Sequence, residues 1–169
     1  MDLIIRKGTI DDTDAFIRLL EEVRQGMDNK EWFYLDPPDF VRSMMKEGSM
    51  QLWVAMDGER MAGAFDILSP GLDPSNYGWD LAFSEDELLR VVHMDTAAVH
   101  PEYRGHGLQK QLMQEAEKAA SAMESRILLT TVHPENCFSL NNILQQGYDI
   151  ARQLPKYGSV RYILRKDLP

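Results

Sequence analysis

The stretch from Val91 to Val132 constrains this chain more than any other part of it. A largely apolar, β-branched run, Val91–Val99, leads into a glycine-bearing turn, and a second such run, Ile127–Val132, closes the segment. Between them Leu108, Leu112, Ala116, Ala119 or Ala120, and Met123 recur at helical spacing, which places them on one face of a long helix. Ile127–Val132 is continuous rather than alternating, as in a strand covered on both faces. Strand, helix and strand in that order make a right-handed crossover between parallel strands, and the remaining elements have to be arranged around it.

Those elements can be read from their caps and periods. Leu3–Ile5 is a short β-run. Thr9 with Asp12 forms a capping box that opens a helix carrying Ile10, Phe16, Ile17, Leu19 and Leu20. Pro37-Pro38-Asp39 starts a second helix, with Phe40, Val41 and Met44 facing inward and Gly48 as its stop. Gln51–Met56 and Met61–Leu68 are strands joined through Asp57-Gly58, a hairpin signal. Ser69–Asp80 is turn-rich and longer than a hairpin needs, a length often associated with function. Ser84 and Glu87 box a short helix through Leu89; Leu140, Ile143 and Leu144 before Gly147 give another. Strands around Tyr148–Gln153 and Val160–Arg165 end the chain. The order β-α-α-β-β-β-α-β-α-β-β is that of a mixed α/β fold with a mainly antiparallel sheet.

Composition narrows the class. The 169 residues are 27% charged and 44% hydrophobic, with no repeat or linker, so residues 1–169 are expected to form a single domain. Cys137 is the one cysteine, which excludes an intramolecular disulfide and a thiolate zinc site. The four histidines form no helical pair, so no metal site is expected. A net charge of −9 argues against nucleic acid or an anionic membrane as partner. Residues 1–90 hold 9 Lys+Arg against 19 Asp+Glu, whereas residues 91–169 hold 9 against 8. An anionic ligand is therefore met more easily by the second half, and a cationic one by the first. The start Met-Asp-Leu-Ile-Ile-Arg lacks the basic lead and apolar stretch of a signal peptide, and no window approaches about eighteen unbroken apolar residues. The expectation is a cytoplasmic protein.

The turn between the paired strand and helix carries the chemistry. In His100-Pro101-Glu102-Tyr103-Arg104-Gly105-His106-Gly107-Leu108, two glycines at a helix start allow a tight turn and a close ligand approach. The first helical turn leaves N–H groups unpaired at the positive end of the dipole, a cradle for phosphate or pyrophosphate. Arg104 and Lys110 add positive charge. No Gly-Lys-Ser/Thr follows, so this is not a P-loop, and Lys110 occupies the third glycine position of a dinucleotide fingerprint.

With its surroundings, this segment resembles the acyl-CoA pyrophosphate loop of the GNAT N-acetyltransferase superfamily, whose core is Arg/Gln-x-x-Gly-x-Gly/Ala. Arg104 and Gly107 match, and Gln109 stands where a small residue is usual. Asn136, Ser139 and Gly147-Tyr148 match downstream family features, and the order of elements matches from Leu3 to the C-terminus. The resemblance implies a GNAT-like fold of about seven mainly antiparallel strands flanked by helices, with the fourth and fifth strands splayed apart. It implies acetyl-CoA as co-substrate. The backbone of Ala97, Ala98 and Val99 would pair with the pantetheine arm like an added strand. The N–H groups of Arg104, Gly105, His106, Gly107, Leu108 and Gln109 would take the pyrophosphate, with Lys110 adding charge. Asn136 would bond the arm near the thioester.

The resemblance further implies acyl transfer to an amine of a small molecule, amino acid or peptide terminus, by direct attack. A neutral nucleophile requires a base, because a lysine-like amine is mostly protonated at neutral pH. His93 and Asp95, two apart on one strand, share a face; either is the base and the other its orienting partner, unless a bulge near Ala97 resets the faces. The tyrosine that many members carry seven residues after the asparagine is here Ile143, with Tyr148 and Tyr157 as substitutes to weigh. Cys137, with His133 or His100 as base, is the residue a covalent route would use. Asp36, Asp39, Asp73 and Asp80 could collect an ammonium group, and Trp32, Tyr34, Tyr77 and Trp79 could wall the acceptor. A non-catalytic acyl-CoA-binding module and an O-acetyltransferase are the alternatives, and a homodimer is left open.

Overall fold

Capping chemistry sets the first elements of the computed structural model, which describes residues 2–123 and 125–169. After strand β1 (Ile4–Lys7), Asp12 accepts the Thr9 N–H at 2.7 Å and pairs with Arg6 through both carboxylate oxygens, each at 2.8 Å. The box closes on a 3-10 turn, Ile10–Asp12, so helix α1 starts one turn later than expected, at Thr13–Gln25. Phe16, Ile17, Leu19, Leu20 and Val23 are buried, whereas Ile10 on the turn is exposed. Helix α2 (Pro38–Glu47) begins on proline and stops at Gly48, whose φ of 77° is the left-handed cap. Val41 is buried there; Phe40, expected inward, is 40% exposed, because adjacent helical residues lie 100° apart and Val41 takes the inward position.

Strands β2 (Met50–Asp57) and β3 (Arg60–Leu68) form the expected hairpin, with Gly58 at φ 60° in a two-residue turn. Short helix α3 (Glu85–Leu88) sits under the Ser84/Glu87 box, and strand β4 covers Val91–Val99. Helix α4 (Leu108–Ala122) buries Leu108, Leu112, Met113, Ala116 and Ala120; Met123, beyond its last turn, is exposed. Strand β5 (Ile127–Val132), helix α5 (Cys137–Gln145) and strands β6 (Asp149–Lys156) and β7 (Ser159–Asp167) complete the chain. Hydrogen bonding orders the strands β1-β2-β3-β4-β5-β7-β6. The β1/β2, β2/β3, β5/β7 and β6/β7 pairs are antiparallel, and β4/β5 is parallel, as the crossover requires. That parallel ladder joins Val91–His93 to Ile127–Leu129, the first third of β4.

The chain divides into two compact units, one holding residues through Leu68 with Asp95–Lys118, the other Ser69–Met94 with Ala119–Pro169. In the first, α1, α2 and the β2/β3 hairpin enclose a core of Phe16, Leu20, Val41, Leu52, Val54, Ala64 and Ala98, among others. Each fully buried Val, Leu, Ile or Phe is worth about 1.5–3 kcal/mol. In the second, Tyr77, Val91, Ile127, Leu129 and Ile163 pack together. The long Ser69–Asp80 loop is ordered by buried Asn76, which donates to Gly71 O at 2.7 Å and Leu88 O at 3.2 Å and accepts from Gly78 N at 2.8 Å. Among the described residues no helix is long and apolar enough to cross a membrane.

Candidate active site

The turn after β4 is fixed before it reaches its glycines. His100 N donates to Ala62 O at 2.9 Å, and His100 Nδ1 accepts the Glu102 N–H at 3.2 Å. The buried Tyr103 donates its hydroxyl to Asp57 at 2.8 Å, while the Arg60 guanidinium lies 5.5 Å from the Tyr103 ring centre and pairs with Glu102. The hairpin thus holds the start of the turn. Arg104, Gly105, His106 and Gly107 are then exposed, and buried Leu108 anchors α4. Gly105 and Gly107 adopt φ of 83° and 70°, a region that costs an L-residue about 1–2 kcal/mol. A Cβ on Gly105 would meet no heavy atom within 4 Å, and one on Gly107 would meet only Gln111 Nε2, at 3.9 Å. The glycines therefore serve the backbone conformation and leave the space above the helix start open. Lys110 is exposed and Gln109 half-buried in the first turn of α4. Upstream, Ala98 is buried and Ala97 and Val99 are half-buried. A Cβ on Gly63 would lie 3.2 Å from Ala98 O, so β3 presses closely on β4 here.

The same unit contains an acidic cavity. Asp66 on β3, Asp95 on β4 and Asp36 just before α2 line it together with Thr96, Tyr34 and the apolar side chains of Phe16, Leu20, Leu35, Val41 and Met50. Its empty space is about 220 Å³, part of it open to solvent. Asp66 is 1% exposed, and neither of its carboxylate oxygens has a hydrogen bond of good geometry, Thr96 being the donor beside it. Burial, and then the negative charges of Asp95 and Asp36, push its carboxyl well above the carboxylate range, with Thr96 pulling slightly the other way. Asp95 accepts the Thr96 hydroxyl at 3.3 Å. Burial first and the Asp36 charge second raise its pKa to about 7. Asp36 is raised by burial. Asp36 and Tyr34 were among the acceptor candidates read from the sequence; Asp66 was not, although a lone carboxylate inside the apolar run Met61–Leu68 was its visible signal.

His93 belongs to the second unit and is held differently. It is 3% exposed, stacks on Tyr77 with ring centres 3.8 Å apart, and its Nε2 accepts the Tyr77 N–H at 3.1 Å. Burial, then the charge of Lys156, lowers its pKa to about 3, so the ring is neutral at physiological pH. Tyr77 in turn shares a 2.6 Å hydroxyl–hydroxyl hydrogen bond with Tyr157, which sits at φ 57° in the β6–β7 turn. Asn136 caps α5, accepting from Ser139 N at 3.4 Å. Ile143 and Tyr148 are buried, Cys137 is exposed, and His133 accepts the Glu135 N–H through Nδ1. Asp39 pairs with Arg42, Asp80 with Lys156, and Asp73 accepts the Ser75 N–H. Among the described residues no three His, Cys, Asp or Glu side chains are arranged to hold a metal ion.

Comparison with known proteins places this geometry. No curated protein sequence matches the chain significantly. Among solved structures, the acetyltransferase of the GNAT family from Streptococcus pneumoniae matches with a TM-score of 0.75 at 17% identity, over 99% of this chain and 100% of that one. The ribosomal-protein-alanine N-acetyltransferase from Brucella melitensis matches with 0.73 at 16% identity, over 98% and 99%. The PaiA N-acetyltransferase from Thermoplasma acidophilum, in complex with coenzyme A, matches with 0.64 at 16% identity, over 99% and 100%. At these identities the structural likeness speaks for the fold. The sequence model of the Acetyltransferase (GNAT) family matches residues 14–148, most of the chain and all of the β4–turn–α4 segment, and the chain therefore belongs to the GNAT acetyltransferase family.

Proposed function

We propose that this protein is an acetyl-CoA-dependent N-acyltransferase that works by direct attack of an amine, with Asp95 as its base. The observation that carries the reading is continuity. A carboxyl of pKa about 7 lies on β4 only a few residues before the Ala97–Val99 backbone and the open glycine turn at Arg104–Leu108. The fit for acetyl-CoA rests on that turn: two left-handed glycines with empty space above them at the positive end of a helix suit a pyrophosphate, while the Arg104 N–H is already engaged by Pro101 O at 3.3 Å and leaves its guanidinium to contribute. Arg104 to Gln109 would hold it, with Lys110 beside them, and Ala97 to Val99 would hold the pantetheine arm. When bound, acetyl-CoA supplies an acyl group activated as a thioester.

The protein's own contribution is proton control. Near pH 7 about half of the Asp95 side chains are ionised, and an ionised Asp95 takes a proton from an incoming ammonium, leaving the amine free to attack. The Thr96 hydroxyl holds one Asp95 oxygen in place. His93, whose acceptor nitrogen is engaged by Tyr77, positions the Ser69–Asp80 loop rather than titrating. The test is acetyl transfer to a panel of amines and matched alcohols, read as thiol release. Turnover with amines that rises through pH 7 supports the reading. Coenzyme A binding without turnover on any acceptor overturns it in favour of a non-catalytic module, and preferential turnover of the alcohols overturns it in favour of O-acyl transfer.

A further inference from the structure

We propose that Asp66 and Asp95 form a pair sharing one proton, which the deeper Asp66 keeps and hydrogen-bonds to the Asp95 carboxylate, making Asp66 the positioning residue of the base. The inference rests on the transferase reading and deepens it, because it names what holds Asp95 in a usable state. The two side chains project from the neighbouring strands β3 and β4 into the same space, whose enclosed part admits about one water molecule. Two carboxyls that close in a buried space do not both ionise, so a proton stays with the pair. Neither Asp66 oxygen has a hydrogen bond of good geometry, and the single proton of the Thr96 hydroxyl is given to Asp95. A proton on Asp66 supplies the missing donor. It turns two facing acceptors into a charge-assisted O–H···O hydrogen bond, one of the strong kinds.

Burial decides which member keeps the proton. Asp66 is 1% exposed, whereas Asp95 is half-buried. Charge costs less on the better-hydrated group, so it settles on Asp95 and the proton on Asp66. The electrostatics run the same way. Burial, then the Asp95 and Asp36 charges, hold Asp66 well above the carboxylate range. Against the upward push of burial and Asp36, hydrogen bonds from Thr96 and Asp66 pull Asp95 down. The other titratable groups facing the pair are Asp36 and Tyr34, from the segment before α2; α1, α2 and β2 contribute only the uncharged Phe16, Leu20, Val41 and Met50. Asp36 thus acts on Asp95 as a like charge and Asp66 as a donor. In the reaction Asp95 takes the ammonium proton and becomes neutral while Asp66 keeps its own. Asp95 regains its charge when the acquired proton passes to solvent.

The experiment is a carbon-13 NMR titration of the full chain, labelled at the aspartate carboxyls and free of cofactor, from pH 5 to 9, with signals assigned from single variants. The expected result is an Asp95 signal that titrates near pH 7 and an Asp66 signal that stays that of a carboxylic acid throughout. Asp66→Leu removes the donor and should raise the Asp95 midpoint by about one unit or more. Asp66→Asn, whose amide N–H replaces that donor, should restore the midpoint to within about half a unit of the parent. Asp36→Asn removes a like charge and should lower it. Should Asp66→Leu fail to fold by circular dichroism, the parent titration and Asp66→Asn decide. A carboxylate signal for Asp66 at pH 8, an unmoved midpoint in folded Asp66→Leu, or a downward shift in Asp66→Asn like that of Asp36→Asn would overturn the pair. The two readings fail separately. The titration reads the resting protein, so the pair stands even where no acceptor is acetylated. Acetyl transfer with one pH profile in the parent, Asp66→Asn and Asp66→Leu keeps the transferase and removes the pair.

Discussion

The glycine turn at Arg104–Leu108 and the acidic cavity at Asp36, Asp66 and Asp95 belong to one compact unit, yet they are built on opposite principles. The turn is exposed, and its geometry is a property of the backbone: two left-handed glycines, a helix start and open space. The cavity is a property of side chains, one of them 1% exposed, drawn from a loop and two strands far apart in sequence. A site built on backbone amides would tolerate exchange of its side chains, such as Gln109 in place of a small residue, because the conformation and not the side chain defines it. A side-chain site has no such tolerance. Burial also acts oppositely on the two titratable residues of β4 while obeying one rule. It favours the neutral form of each, holding Asp95 up at about 7 and His93 down at about 3.

Four perturbations would sharpen this contrast or break it. Asp95→Asn should lower kcat by about 10²–10⁴, the usual worth of a general base, with coenzyme A affinity unchanged by calorimetry; equal rates across pH 6–9 would move the base elsewhere. Gly107→Trp should do the converse, weakening coenzyme A by roughly a hundredfold or more while far-ultraviolet circular dichroism is retained, because the open space above the turn is filled.

The third is a pair of pH-dependent stability differences, read from urea unfolding. Asp66 has a raised native pKa, so above pH 4 the unfolded chain ionises it first and the parent loses stability as pH rises. Asp66→Asn lacks that loss and should gain on the parent by on the order of 1 kcal/mol per pH unit there. His93 has a lowered native pKa, so the parent loses stability as pH falls from 6.5 toward 3, and His93→Gln should gain on it in that lower window. Parallel curves for either pair would show that its group is not held neutral by burial. The smallest effect is Tyr157→Phe, which removes the hydroxyl bond to Tyr77 and should cost about 1 kcal/mol with no change in coenzyme A affinity.

Much of the fold was legible in the sequence because local chemistry specified it. The Val91–Val99 and Ile127–Val132 runs are strands at those residues, the Ser84/Glu87 box caps a helix, and Gly48 ends one. The glycine turn was legible for the same reason, since conformation and sequence coincide within a few residues. Where the reading slipped, the cause was tertiary. Phe40 turned outward because Val41 took the inward position, and Tyr157 adopts a left-handed φ in a Tyr-Gly turn that carried no strong signal.

By itself, then, the sequence determined what neighbours along the chain decide: the crossover, the caps, the hairpin at Asp57-Gly58 and the amide-lined turn, each a matter of backbone preference over a few residues. Only the tertiary structure decided the protonation of Asp95 and His93 and the assembly of Asp66 with Asp36. Dielectric burial and repulsion between carboxylates depend on distances through space, and no spacing along the chain encodes them.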